Sequence, residues 1–248
     1  MFWRVKMEIR PDYRNLLTFE VAEMGLPDAM VDIAANIFDD FSPERSDEEV
    51  TLMRKYLNDV AENECLPLKK RAYTQMLLGS SYYFAEDYEE AIKWYELAAQ
   101  NNNFRAMCYL GYCHLYGNGT PVNYKKAYEF FAKSAYFGYA NAMYKLGDMY
   151  YYGNHVEKDE NAAFFWYSEA NLNHTHGLDE ADILLRLGRC YHYGHGVMKD
   201  NKKALELLSK AEVLFIHMVE AEAPFSRITL PKVTELLENV RKEIYEEL

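Results

Sequence analysis

Four of the seven histidines fall in two close pairs, His174-x-His176 and His192-x-x-His195, and there are four cysteines, Cys65, Cys108, Cys113 and Cys190. These residue types could bind a transition metal. A helical zinc pair needs histidines at i, i+4 with a further acidic or Cys ligand, and a structural site needs close Cys spacing such as CxxC. Neither spacing occurs. The histidines therefore read as loop and surface residues, and the cysteines as small buried apolar side chains. No GxSxG elbow, Walker loop or HExxH is present to activate a nucleophile, a phosphate or a water. Gly117-Asn118-Gly119 and Gly194-His195-Gly196 follow helical stretches, whereas a dinucleotide fingerprint follows a strand. They read as turns that need positive φ. The chain is expected to have no catalytic residue, no metal and no cofactor, and not to be an enzyme.

Four polar side chains have a different regularity. Asp87, Asn123, Asp159 and Asp200 each stand four residues before an alanine: Ala91, Ala127, Ala163 and Ala204. Each is a preferred helix N-cap type, whose side chain accepts a hydrogen bond from an otherwise unpaired backbone N–H. The spacing predicts caps rather than catalytic carboxylates. Asp87 with Glu90, and Ser46 with Glu49, have the form of a capping box.

Those caps belong to a longer grid. Gly111, Gly147 and Gly188 are 36 and 41 residues apart, each preceded by leucine. Gly117, Gly153 and Gly194 follow six residues on, and the caps and alanines keep step after them. A period of this length is the mark of stacked helical pairs. Units are expected at about 26–64, 68–101, 102–138, 139–176 and 177–226. Residues 1–25 form a leading segment with a helix over 12–24, and residues 227–248 a C-terminal capping helix with Pro231 in its first turn. A terminal cap needs one apolar face, which Val233, Leu236, Leu237, Val240 and Ile244 supply. Gly79, Gly111, Gly147 and Gly188 lie inside first helices, where Gly costs about 1 kcal/mol relative to Ala. They are expected to mark close helix approach, with Ala98, Ala135, Ala170 and Ala211 as the small residues opposite.

The chain has 248 residues, half of them hydrophobic, with a net charge of -12. That is ample for a core. No apolar run is long enough to span a bilayer. The start lacks the apolar stretch of a signal peptide, which predicts a cytoplasmic protein. Met7 is an alternative start to Met1. No basic stripe is present for nucleic acid. An acidic balance serves solubility and favours a basic partner.

The Leu-Gly, Gly-x-Gly, Asp and Ala grid resembles the Sel-one-like repeat family, relatives of tetratricopeptide repeats. The likeness is best over Leu187 to Ala204, LGRCYHYGHGVMKDNKKA. It extends over 105–213, with a weaker match over 68–104. His155 departs from it at the second loop glycine, and Thr120 and His114 at two further positions. The resemblance implies an all-α fold, a right-handed α/α superhelix. It also implies a scaffold or adaptor that binds a protein or peptide, with no family-wide active site. A peptide-sensing regulator is the alternative, and a hidden enzyme a third.

By analogy with tetratricopeptide-like helices, some of the 22 tyrosines line a concave groove with a few polar neighbours. The set comprises Tyr73, Met76, Tyr83, Arg105, Tyr112, Tyr116, Tyr144, Asp148, Tyr151, Tyr152, Arg189 and His192. Some of these are expected to pack between repeats instead.

Overall fold

Short acceptors at helix starts, glycines at helix ends and a dense supply of small apolar residues between them commit this chain to helices. The computed structural model describes residues 22, 24–39, 47–174, 178–221, 223 and 225–246. Among these it contains eleven α-helices and no strand. The expected helix over 12–24 lies largely outside the described residues, as do Phe41-Ser42-Pro43, Ser46 and His176.

The chain divides into two compact units, residues 1–121 and 122–248. The first holds α1 (Pro27–Asp39), α2 (Asp47–Ala61), α3 (Leu68–Phe84), α4 (Tyr88–Gln100) and α5 (Phe104–Tyr116). Each packs on the next. Met53, Tyr56, Leu57 and Val60 of α2, Leu78 of α3, Tyr95 of α4 and Leu110 of α5 are buried. The second unit holds α6 (Tyr124–Tyr136), α7 (Ala140–Tyr152), α8 (Glu160–Asn173), α9 (Leu178–Tyr193), α10 (Asn201–Glu220) and α11 (Ser226–Glu246). They too pack in chain order, and α7 also touches α9. Ala204 and Leu208 of α10 and Leu237 and Val240 of α11 form one buried cluster.

The caps are where the spacing puts them. Asn123 Oδ1 accepts from the Lys126 N–H at 3.0 Å and Asp200 Oδ1 from Lys203 at 2.9 Å. Asp159 Oδ1 accepts from Asn161 at 2.9 Å and from Ala162 at 3.0 Å. Asp87 reaches Glu90 N–H at 3.4 Å, but the Glu90 carboxylate is taken by Lys93. The expected box is thus half made. Asn103 caps α5 in the same way, on Ala106 at 3.0 Å.

Three helix-interior glycines are close-approach sites. A Cβ on Gly79 or Gly147 would lie 2.5 Å from the ring of Tyr95 or Tyr167, and one on Gly188 would lie 2.6 Å from Leu208. The groups opposite are therefore large side chains three residues before Ala98, Ala170 and Ala211. These alanines are buried, but the glycine accommodates a ring or a branched chain. Small size on one side is exploited by bulk on the other.

The last helix differs from expectation. It begins at Ser226, so Pro231 sits inside it and not in its first turn. Phe225, at φ 62°, makes the start by lending its carbonyl to the Ile228 and Thr229 N–H groups. The Ser226 hydroxyl donates to the Ala223 carbonyl at 2.6 Å.

Candidate functional site

The twelve groove residues sort by burial and partners, each unit taken by itself. In the first unit, Tyr73 and Arg105 are exposed. Tyr116, 57% exposed, stacks on Tyr112 with ring centres 6.0 Å apart. Tyr83 is half-buried, packed edge-on against Tyr88, and its hydroxyl accepts from Asn118 Nδ2 at 2.6 Å. Burial raises its pKa above the ordinary phenol value, so it stays a neutral hydroxyl. Met76 is only 3% exposed and belongs to the core, where the Ser80 hydroxyl donates to its sulfur. It has no surface to offer a partner.

In the second unit the polar members divide sharply. Asp148 is enclosed: Arg186 donates to its two carboxylate oxygens at 2.7 and 2.8 Å, and the Tyr167 hydroxyl donates at 2.9 Å. Lys145 adds a positive charge at 3.7 Å. Burial alone would raise the Asp148 pKa; the Arg186 charge and hydrogen bonds outweigh it and hold the carboxyl below its ordinary value. A carboxylate with this many donors is a structural anion. Tyr144 is 5% exposed and lies beneath the Arg186 guanidinium, 4.6 Å from ring centre to Cζ. His192 is 2% exposed, its Nδ1 2.9 Å from Asn201 Oδ1, and Asn201 in turn donates to Glu243 of α11. Asp148, Tyr144 and His192 thus join helices rather than face a groove. The reason is crowding: α7 and α9 have neighbours on more than one side, so much of their circumference is core.

What α7 and α9 leave open is a ledge of Tyr151, Tyr152 and Arg189. The Arg189 guanidinium lies 4.2 Å from the Tyr151 ring centre and 6.0 Å from that of Tyr152. Its Nη1 donates to the Tyr152 hydroxyl at 3.3 Å. Tyr152 is 59% exposed. Tyr151 shares a hydrogen bond of 3.1 Å with His195 Nδ1, and His195 stacks on Tyr193. Lys158 sits over the same Tyr151 ring and is paired with Glu160 at 2.9 Å.

His195, Tyr193 and Arg186 are the neighbours that periodicity did not single out. Arg186 had a visible signal, a charge directly before the Leu187-Gly188 pair of the grid. His195 stands between two turn glycines and in the His192-x-x-His195 pair, and neither feature points to Tyr151.

Burial pushes the Cys113 thiol up to about 12 and Cys190 up to about 11, which keeps both protonated. Cys65 departs from the expected burial and is exposed. Among the described residues no three His, Cys, Asp or Glu side chains are grouped to hold a metal ion. No helix among them is long and apolar enough to cross a membrane.

Four stretches, residues 72–103, 104–137, 140–173 and 182–212, match the family model of the Sel1 repeat. An uncharacterized protein of Neisseria meningitidis serogroup B is 32% identical in an alignment of 173 residues, with 60% of this chain and 36% of the relative covered. The match thus takes in about a third of that relative's length. Among solved structures, a Sel1 repeat protein from Oxalobacter formigenes superposes with a TM-score of 0.58 at 28% identity, over 75% of this chain and 72% of that one. The protein c5321, a protective antigen of uropathogenic Escherichia coli with an SLR fold, does so with a TM-score of 0.53 at 20% identity. It covers 92% of this chain and 56% of that one. The second likeness bears on the fold alone.

Proposed function

This chain belongs to the Sel1 repeat family, whose members generally mediate protein–protein interaction, and on that footing we propose that it is a non-enzymatic scaffold that holds a peptide segment of a partner. The contact residues proposed are the open ones of each unit taken by itself: Tyr73, Tyr83, Arg105, Tyr112 and Tyr116 on the first, and Tyr151, Tyr152 and Arg189 on the second. The observation that carries this reading is the exposure of Tyr116, stacked on Tyr112, and of Tyr152, packed edge-on against Tyr151. An exposed tyrosine gives a large contact area for little rotamer entropy, with a hydroxyl for one hydrogen bond. The net charge of -12 favours a partner with basic residues at long range, with binding that weakens in salt. The setting proposed is the cytoplasm, which suits four unbridged cysteines.

The test is capture of the partner from the native host by cross-linking and mass spectrometry, with the parent and a Tyr112→Ala, Tyr116→Ala, Tyr152→Ala variant. Loss of interface anchors commonly costs about 2 kcal/mol or more each, so capture should fall below detection while circular dichroism stays helical. A folded variant that captures the same partner as well as the parent would refute this surface.

A further inference from the structure

We propose that Arg189 is the receptor for a carboxylate side chain, so that the peptide held on the second unit's ledge carries an Asp or Glu at one fixed place. This rests on the peptide-binding reading above and names the chemistry of one of its contacts.

Two arginines stand one turn apart on α9, and their surroundings differ. Arg186 is filled: Nε and Nη2 donate to Asp148, and Nη1 donates to the carboxylate and the carbonyl of Asp182. Arg189 is paired with no carboxylate among the described residues. Its one side-chain hydrogen bond among the described residues is the 3.3 Å contact to the Tyr152 hydroxyl. Its Nε is shut off from solvent and finds no acceptor among the described residues. A guanidinium partly removed from water and left without an anion is an unfavourable arrangement that a carboxylate would relieve.

The geometry is also prepared. The Arg189 Cζ lies over the Tyr151 ring, 4.2 Å from its centre, and this contact restrains the guanidinium. The guanidinium can offer its two terminal nitrogens as a fork, which a carboxylate meets with two parallel hydrogen bonds, while the enclosed Nε is not reached from outside. The Tyr152 hydroxyl accepts from Arg189 and keeps its own proton to give to a second anion oxygen.

A carboxylate fits better than a phosphate. The next cation, Lys158, is already held by Glu160, and His195 Nε2 lies 3.9 Å from the same Glu160. A dianion would meet one open guanidinium with a carboxylate close by. The ledge is flanked by more-than-half-exposed Tyr152 and Tyr193, so it is open on its outer side. Such a surface suits a residue within a passing chain. A chain terminus is held by an enclosing nest of backbone N–H groups.

The test starts from a random twelve-residue peptide library displayed on phage and panned on the full chain. Recovered peptides are then synthesised with blocked ends and measured by fluorescence polarisation. Recovered peptides should share one acidic position. Glu→Gln at that position should weaken binding to the parent at least tenfold. The same peptide change should alter binding to Arg189→Met less than threefold, because the receptor is gone while its aliphatic stem remains. The peptide substitution on the unaltered protein reads the contact even if Arg189→Met folds poorly. Peptides without an acidic position, or a Glu→Gln effect equal on both proteins, would overturn the assignment and leave the scaffold reading standing. Phosphoserine binding tenfold tighter than Glu at that position would overturn the carboxylate in favour of phosphate. Recovery of no peptide would sink the peptide-binding reading itself, and this inference with it.

Discussion

Replacing Gly147 with alanine sets two effects against each other. By helix propensity the change should stabilise α7 by about 1 kcal/mol. Packing opposes it. The new Cβ would lie 2.5 Å from Cε1 and 2.6 Å from Cδ1 of Tyr167. Carbon atoms in good contact are about 3.5–4.0 Å apart, so the ring must retreat by roughly 1 Å. Tyr167 is fully buried, and overpacking of such a site typically costs about 1–3 kcal/mol. The retreat also strains the hydrogen bond from the Tyr167 hydroxyl to Asp148, and a bond to a charged group contributes about 1.5–3 kcal/mol. Packing wins, and Gly147→Ala should destabilise the protein by about 2–3 kcal/mol on these magnitudes. Urea unfolding followed by far-ultraviolet circular dichroism, with slope held equal, measures it. The same change in a Tyr167→Phe background should cost less, because the hydroxyl bond is already absent. A Gly147→Ala midpoint at or above the parent's would show that propensity governs the site and that the close approach carries no energy.

Asp148→Asn should destabilise by about 3 kcal/mol, since it weakens the charge pairing of a buried guanidinium. The Asp148 pKa is lowered in the fold, so its contribution is complete above the unfolded value and lost as pH falls through the folded one, below 3.8. The melting difference between parent and variant should therefore shrink as pH drops below about 4 and stay constant above about 5; a difference independent of pH would contradict the pairing. His155 occupies at φ 70° the loop position that glycine fills as Gly119 and Gly196. His155→Gly should raise stability by up to about 1 kcal/mol in thermal melts, and a lower melting point would show that the ring's contact with Tyr128 outweighs the backbone strain.

Helices, turns and caps could be read from the sequence because each depends on a few residues near one another. An N-cap needs a short acceptor at a fixed place, and Asp87, Asn123, Asp159 and Asp200 show it without reference to the fold. Side-chain partners across helices could not be read in this way. Asp148 and Arg186 are 38 residues apart, and Tyr151 and His195 are 44 apart. Periodicity says which face a residue shares, not which polar group waits opposite. It also misjudges helices that are surrounded. Ala140, Ala142, Met143, Tyr144, Lys145, Leu146, Gly147 and Met149 of α7 are all buried, so most of the helix circumference is core. Periodicity therefore puts Tyr144 in a groove, whereas its ring lies under the Arg186 guanidinium, and it puts His192 there too, whereas Asn201 engages it.

The contact between α7 and α9 reads as a ladder, and its rungs differ in how fully the fold occupies them. Asn141 donates to Asp179 at the first rung, and Asp148 takes Arg186 at the next. At the last rung Arg189 meets the Tyr152 hydroxyl. Asp148 and Tyr152 are one helical turn apart on α7, as Arg186 and Arg189 are on α9, so the backbone offers both pairs similar geometry. The difference is chemical. Where α7 supplies a carboxylate, the arginine is neutralised within the fold and the rung becomes mortar. Where it supplies a phenol, the arginine is held in place but left without an anion, at the end of α7 where Tyr152 is open to solvent. A repeat array stacks the same helix pair again and again, and its inner rungs are buried by the stacking. At a helix end a single change of acceptor, from the Asp148 carboxylate to the Tyr152 hydroxyl, is what would make the proposed Arg189 contact available to a partner.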